Sequence, residues 1–372
     1  MKQQDENRKK LQDSMNDYLV TMNADQTIIY NNLELFYQLS CSVEQGLFEH
    51  ANAYNGQIDY TKISRTTLSD NFRYLHEFYN EVGIDFDFEK NRNDGTIELM
   101  YYDLFNQNDD PEKEKKHHMG FGESYYEGSK NLIKIPNNGL ITDALVAVHE
   151  ISHLRDQLGE EVTQVSELLT ESLAYTEELI CMDFLSTQGY QADMKLWEKS
   201  IFRTFYKIAK NTRPRYKLFL LHQKLGTISK ENYESYFNET KEYEPIINYM
   251  SRFIESGEFD LFYRTGYVMA AVLGSYMYTQ YKQEKKFWNN IVKLRTQMDH
   301  SNLSTCLKTI GLEDLNQKDK GKFINTLNII KKELTDPVPM QPNSTTNLKK
   351  DSVRISNAKR MEKIYEKRRK NN

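Results

Sequence analysis

The sequence contains three cysteines, Cys41, Cys181 and Cys306, far apart and without a CxxC pair. That scarcity argues against a disulfide framework and for a reducing compartment, with each thiol read as a small buried hydrophobe. The first twenty residues, MKQQDENRKKLQDSMNDYLV, hold no apolar core of signal-peptide length. The expectation is therefore a cytoplasmic protein, with export by a route lacking a signal peptide left open. Long hydrophobic runs are missing too. The longest uncharged stretch, Thr265 to Tyr281, has 17 residues and carries Tyr267, Tyr276, Tyr278 and Tyr281, which fits a buried helix rather than a membrane span. The net charge of −5 gives no support to nucleic-acid binding.

What is present fits a folded globular chain. Hydrophobic residues make up 38% and charged residues 28% of 372, enough for one large or two ordinary domains. With 25 Tyr and 18 Phe, the buried surface is expected to be rich in aromatic rings. Residues 1–90 have the apolar spacing of helices, as at Leu33, Leu35, Phe36 and Leu39 and at Leu75, Phe78 and Val82. Two pieces read as strands, IDFDF from residue 84 and TIELMYY from residue 96, separated by Asn-Arg-Asn-Asp-Gly. Residues 106–130 read as polar loop. A short apolar segment over 131–136 then reads as a strand ended by a Pro-Asn-Asn-Gly turn.

After that turn the period changes. Thr142 or Asp143 can cap a helix whose apolar positions include Leu145, Val146, Val148, Ile151 and Leu154, and Gly159 can end it. A second helix is expected over 161–186, with helical patterns continuing to about 335. Pro337, Pro339 and Pro342 mark a linker, and the tail from Lys349 to Lys370 holds ten Lys/Arg against three Asp/Glu. The predicted fold is mainly α with a small β-sheet (α+β). It comprises an N-terminal helical region over 1–105, a catalytic region over 106–335 and a linker with basic tail over 336–372. The tail reads as a solvated or frayed helix, or as an element docking to an acidic partner.

Inside the expected helix lies His149-Glu150-Ile151-Ser152-His153. Residues four apart on a helix share a face, so both imidazoles can reach one ion at about 2.0–2.1 Å. Glu150 can face the same cleft without ligating and take a proton from an attacking water. With eight histidines in the chain, an HExxH arises by chance in about one or two such chains per hundred. A catalytic zinc site needs a third protein ligand and an open position. One known arrangement puts that ligand six residues past the second His with Gly in between. Those positions are Asp156 and Gly159 here, so that pattern is absent. The remaining source is an acid on the following helix, where Glu167, Glu171, Glu177 and Glu178 are candidates.

At these residues the sequence resembles the glutamate-zincin group of metallopeptidases. Leu169-Thr-Glu171-Ser-Leu-Ala174-Tyr-Thr-Glu-Glu178 is similar to the segment in which zinc aminopeptidases write Asn-Glu-Gly-Phe-Ala followed by a further acid. The resemblance implies Glu171 as the third zinc ligand and Glu178 as a carboxylate fixing a ligating histidine, with Glu167 in reserve. The thermolysin version carries an Asp four residues after the ligand Glu, where this chain has Tyr175. Further on, Phe262-Tyr263-Arg-Thr-Gly266-Tyr267-Val-Met-Ala-Ala271-Val-Leu-Gly274 resembles the Tyr-rich, small-residue helix of the oligoendopeptidase and thimet-oligopeptidase family. That resemblance implies an oxyanion donor at Tyr263 or Tyr267. The family's further Gly and His residues around the zinc helix are missing.

Together these readings predict a zinc-dependent peptidase acting on peptide substrates, with His149, His153 and Glu171 as ligands and Glu150 as general base. Two alternatives stand beside it. One is a catalytically inactive zincin-like binding protein. The other is a di-iron carboxylate bundle, for which Glu150-Ile-Ser-His153 and Glu114-Lys-Lys-His117 would be the two Glu-x-x-His motifs. The 131–136 strand is a further candidate to pair with an extended peptide, and His117-His118 a candidate substrate contact.

Overall fold

The computed structural model describes residues 24–53, 62–100, 123–127, 130–156, 164–225, 265–298 and 301–335, with scattered positions before 24. Tyr263, Glu114, His117, His118 and the basic tail lie outside the described residues. The chain divides into two units, Met1–Asp336 and Pro337–Asn372, and the described residues all belong to the first.

Among the described residues the fold is mainly helical, with one small three-stranded sheet. Helices α1 (Ala24–Asn31), α2 (Leu33–Ala53), α3 (Leu68–Glu81) and α4 (Phe88–Asn93) lead into strands β1 (Ile97–Met100), β2 (Glu123–Glu127) and β3 (Lys130–Pro136). Then come α5 (Thr142–Arg155), α6 (Gln164–Leu185) and α7 (Gln191–Leu225). After these follow α8 (Thr265–Gln283), α9 (Trp288–Gln297), α10 (Leu303–Thr309) and α11 (Lys320–Thr335). The uncharged stretch seen in the sequence becomes α8, buried from Val268 to Tyr278, and no helix among the described residues is long and apolar enough to cross a membrane.

The strand order is β1-β3-β2, with β1 parallel and β2 antiparallel to β3. This corrects two expectations. The 131–136 segment is the central strand, paired with β1 over Ile133–Pro136 and with β2 over Lys130–Lys134, so it is not a free edge for a peptide. The 106–130 region contains a strand, β2, rather than loop throughout. A third correction concerns IDFDF. Its alternation suggested a strand, but the Asp87 side chain accepts from Lys90 N at 2.9 Å and caps α4 instead.

The turn into α5 forms as its residues dictate. Gly139 adopts φ +74°, the left-handed region open to glycine. Asp143 accepts from Asn138 N at 2.7 Å and from Leu140 N at 3.1 Å, tying the turn to the first helical residues. Burial pushes the Asp143 carboxyl up to about 6 against the opposing pull of these N–H groups. α5 is buried almost throughout and packs on β3 on one side and on α6 on the other. α6 in turn packs on α8. The two helices come close at Gly274, where a Cβ would meet Ser172 O at 2.8 Å and the Tyr175 Cβ at 2.9 Å. Thr176 Oγ1 donates to Gly274 O at 3.2 Å across the same contact. A small residue at 274 therefore sets the depth at which the α6 face meets α8.

Candidate metal centre

Because α5 and α6 run against each other, the imidazoles of one face the acids of the other. Among the described residues, one group of His, Cys, Asp and Glu brings ligand atoms near enough to hold a metal: His149, His153 and Glu171, one atom from each within 4.8 Å of the others. His149 Nε2 is 3.6 Å from Glu171 Oε2, and His153 Nε2 is 3.4 Å from Glu171 Oε1. Ligands about 2.1 Å from a tetrahedral zinc ion lie about 3.4 Å from one another, and each imidazole meets one Glu171 oxygen close to that spacing. The donor set of two imidazoles and one carboxylate is also that of catalytic zinc sites. Glu167, one turn before Glu171, does not join the group.

The electrostatics follow from burial and opposite charge. Burial pulls the His153 ring down, but the Glu171 carboxylate, with Asp156, overrides it and holds the ring up at about 9. His149 is likewise pulled down by burial and carried well above its ordinary value by Glu171 and Glu178. Burial pushes Glu171 up, and the two imidazoles more than offset this, holding it well below the usual carboxylate range. Two protons shared with acids in this way can be exchanged for one divalent cation without changing the site's charge.

Glu150 is 7% exposed on the same helix. Its carboxyl is raised by burial, against the pull of His149 and His153. It is thus a buried carboxylate beside both imidazoles and outside the ligand group, the arrangement a proton acceptor needs.

Each histidine also has a carboxylate behind it. His149 Nδ1 lies 3.1 Å from Glu178 Oε2, and the other oxygen, Oε1, accepts from Trp197 Nε1 at 2.7 Å. His153 Nδ1 lies 3.6 Å from Asp156 Oδ2, and Asp156 Oδ1 is gripped by Arg295 of α9. Of these partners, Glu178 was implied by the resemblance to the zinc-aminopeptidase segment. Trp197, Asp156 and Arg295 were missed. The one signal available for Asp156 was its place three residues beyond His153 on a helix, an i,i+3 neighbour.

Tyr267 is partly exposed on α8 and is an electrostatic neighbour of Tyr175, together with Glu171, Glu178 and Glu150. The Tyr175 ring packs edge-on against His149, centroids 5.2 Å apart, with Phe205 behind it at 4.9 Å. The position where thermolysin carries an acid is therefore an aromatic wall of the site. Burial, then Glu171 and Glu178, hold the Tyr175 phenol well above its ordinary value, so it stays a protonated donor.

No family model matches the sequence, and no curated protein does. Solved structures that share the fold include a protein provisionally assigned as oligoendopeptidase F from Bacillus anthracis strain Ames, with a TM-score of 0.51 at 15% identity. Another is a protein provisionally assigned as a peptidase from Chlamydophila abortus, with a TM-score of 0.54 at 13% identity. Each alignment covers 84% of this chain and 56% of the other, so this chain spans little more than half the length of either. At such identity the likeness establishes a common, mainly helical fold.

Proposed function

We propose that this chain is a zinc-dependent peptidase of the glutamate-zincin type, with His149, His153 and Glu171 holding the metal. The observation that carries the reading is the convergence of both Nε2 atoms on the two oxygens of Glu171 at 3.6 and 3.4 Å. The fold shared with two proteins assigned as peptidases supports it.

When bound, zinc would acidify a water molecule and polarise the scissile carbonyl. The protein's own groups do the rest. Glu150 accepts the proton of the attacking water and passes it to the leaving amine as the peptide C–N bond breaks. Its burial raises its proton affinity, which suits a group that must both take and return a proton. Tyr267 is the described candidate to donate a hydrogen bond to the oxygen that gains charge during attack. Glu178 and Tyr175 hold the His149 ring from two sides, one by hydrogen bond and one by edge-on packing.

Glu150→Gln is nearly isosteric and removes the proton acceptor alone. Cleavage of a fluorogenic peptide panel should fall to background while bound zinc, measured by metal analysis, stays at the wild-type level. Full activity in this variant would defeat the assignment. Zinc binding with no cleavage by the wild type would favour a zincin-like binding protein instead.

A further inference from the structure

Behind His153 lies a cluster of buried charges that the proposed reaction does not use directly. Arg295, 8% exposed, reaches from α9 into the junction of α5 and α6. Its Nη1 bonds Asp156 Oδ1 and donates to Ser152 O at 2.6 Å, and its Nη2 donates to Ser152 Oγ at 2.7 Å and to Glu177 Oε1 at 2.9 Å. Arg155 Nη1 donates to both oxygens of Glu177, at 2.9 and 2.8 Å. Two cations and two anions thus balance, and one acceptor is left over. Among the described residues, Asp156 Oδ2 is buried without a hydrogen-bond partner, and His153 Nδ1 lies 3.6 Å from it.

A buried ion cluster is a weak source of stability, because desolvation consumes most of the attraction. It does fix orientation. With Oδ1 held by Arg295, the carboxylate cannot turn, and Oδ2 stays aimed at the imidazole. An acceptor there keeps a ring proton on Nδ1, so Nε2, on the Glu171 side, is the nitrogen left to give up its proton and ligate the metal. His149 has the same arrangement in other residues, with Glu178 as the acceptor and Trp197 as its clamp.

We propose that Asp156 and Arg295 are positioning residues for the metal: Arg295 locks Asp156 Oδ1 so that Oδ2 sets the tautomer and ring angle of His153. The proposal rests on His153 being a zinc ligand.

Asp156→Asn in the full-length chain tests it. Arg295 would hold the amide oxygen and turn the NH2 group towards His153, favouring the tautomer whose Nε2 carries the proton and cannot ligate. Zinc affinity, measured by competition with a chromogenic chelator, should fall roughly 10–100-fold. The visible d–d bands of the cobalt-loaded protein should shift. The double variant Asp156→Asn/Arg295→Gln removes one charge of each sign and releases the amide to flip. It should bind zinc more tightly than the single variant and return the cobalt bands towards the wild-type positions, the band position reporting ring geometry and not the charge balance. Circular dichroism of both variants checks that the helices are intact. The proposal is overturned if wild type binds zinc and Asp156→Asn binds it within twofold with unchanged cobalt bands. It is likewise overturned if the double variant is no tighter than the single one. A wild-type protein that binds no zinc would instead remove the metal reading, and this inference with it.

Discussion

The indole Nε1 of Trp197 donates to Glu178 Oε1 at 2.7 Å, while Glu178 Oε2 sits 3.1 Å from His149 Nδ1. Trp197 is buried on α7 and Glu178 on α6, so one hydrogen bond between two helices sets the orientation of a ring on a third. Trp197→Phe keeps most of the packing and deletes the donor. It leaves Glu178 Oε1 buried without a partner, which should cost about 1–3 kcal/mol in denaturant unfolding. It should also weaken zinc binding about tenfold, the lower end of what loss of such an outer partner costs. Lowered stability with unchanged zinc affinity would show that the bond only packs the helices.

Gly274→Ala drives a Cβ to within 2.8 Å of Ser172 O and 2.9 Å of the Tyr175 Cβ. Both obstacles are close to the helix axis and cannot swing aside, so α6 and α8 must separate. The expected cost is about 1–3 kcal/mol of stability, that of an overpacked core. Since Ser172 adjoins Glu171, the proposed peptidase activity should fall by more than stability alone explains. Thermal unfolding and zinc affinity of the same preparation separate the two effects, and an unchanged melting temperature would contradict the packing argument.

Tyr267→Phe removes a phenol hydroxyl and little else. If that hydroxyl serves the charged oxygen of the transition state, kcat should fall roughly 10²–10³-fold with KM little changed. Tyr175→Phe is the companion variant. Its ring packing against His149 survives, so a loss of kcat there but not in Tyr267→Phe would move the donor role to Tyr175.

The helix that carries His149 and His153 was legible because its signals are local. The Pro136-Asn-Asn-Gly139 turn, the apolar spacing after it and the two histidines one turn apart all lie within twenty residues. Glu171 was one of four acids on the next helix, and spacing alone did not choose it. In the structure Glu171 is the acid whose oxygens lie 3.6 and 3.4 Å from the Nε2 atoms of His149 and His153. The structure ends α5 at Arg155, with Asp156 at its C-cap, rather than at Gly159. Arg295 was not legible, since its partners Asp156, Ser152 and Glu177 lie 118 to 143 residues earlier. A lone arginine on a mixed helix has the sequence pattern of a solvated face. IDFDF misled because alternation is a weaker constraint than a capping side chain when Asp falls just before a helical turn. β2 was hidden by polar surroundings, and without it the central place of β3 could not be seen.

The most direct test is metal content of the purified full-length chain and of Glu171→Ala, measured by atomic emission after dialysis against excess zinc and then against metal-free buffer. One equivalent of zinc per wild-type chain, with little retained by Glu171→Ala while its circular dichroism is unchanged, is the result expected. Equal zinc in both proteins, or none in the wild type, would contradict the assignment of His149, His153 and Glu171 as a metal centre.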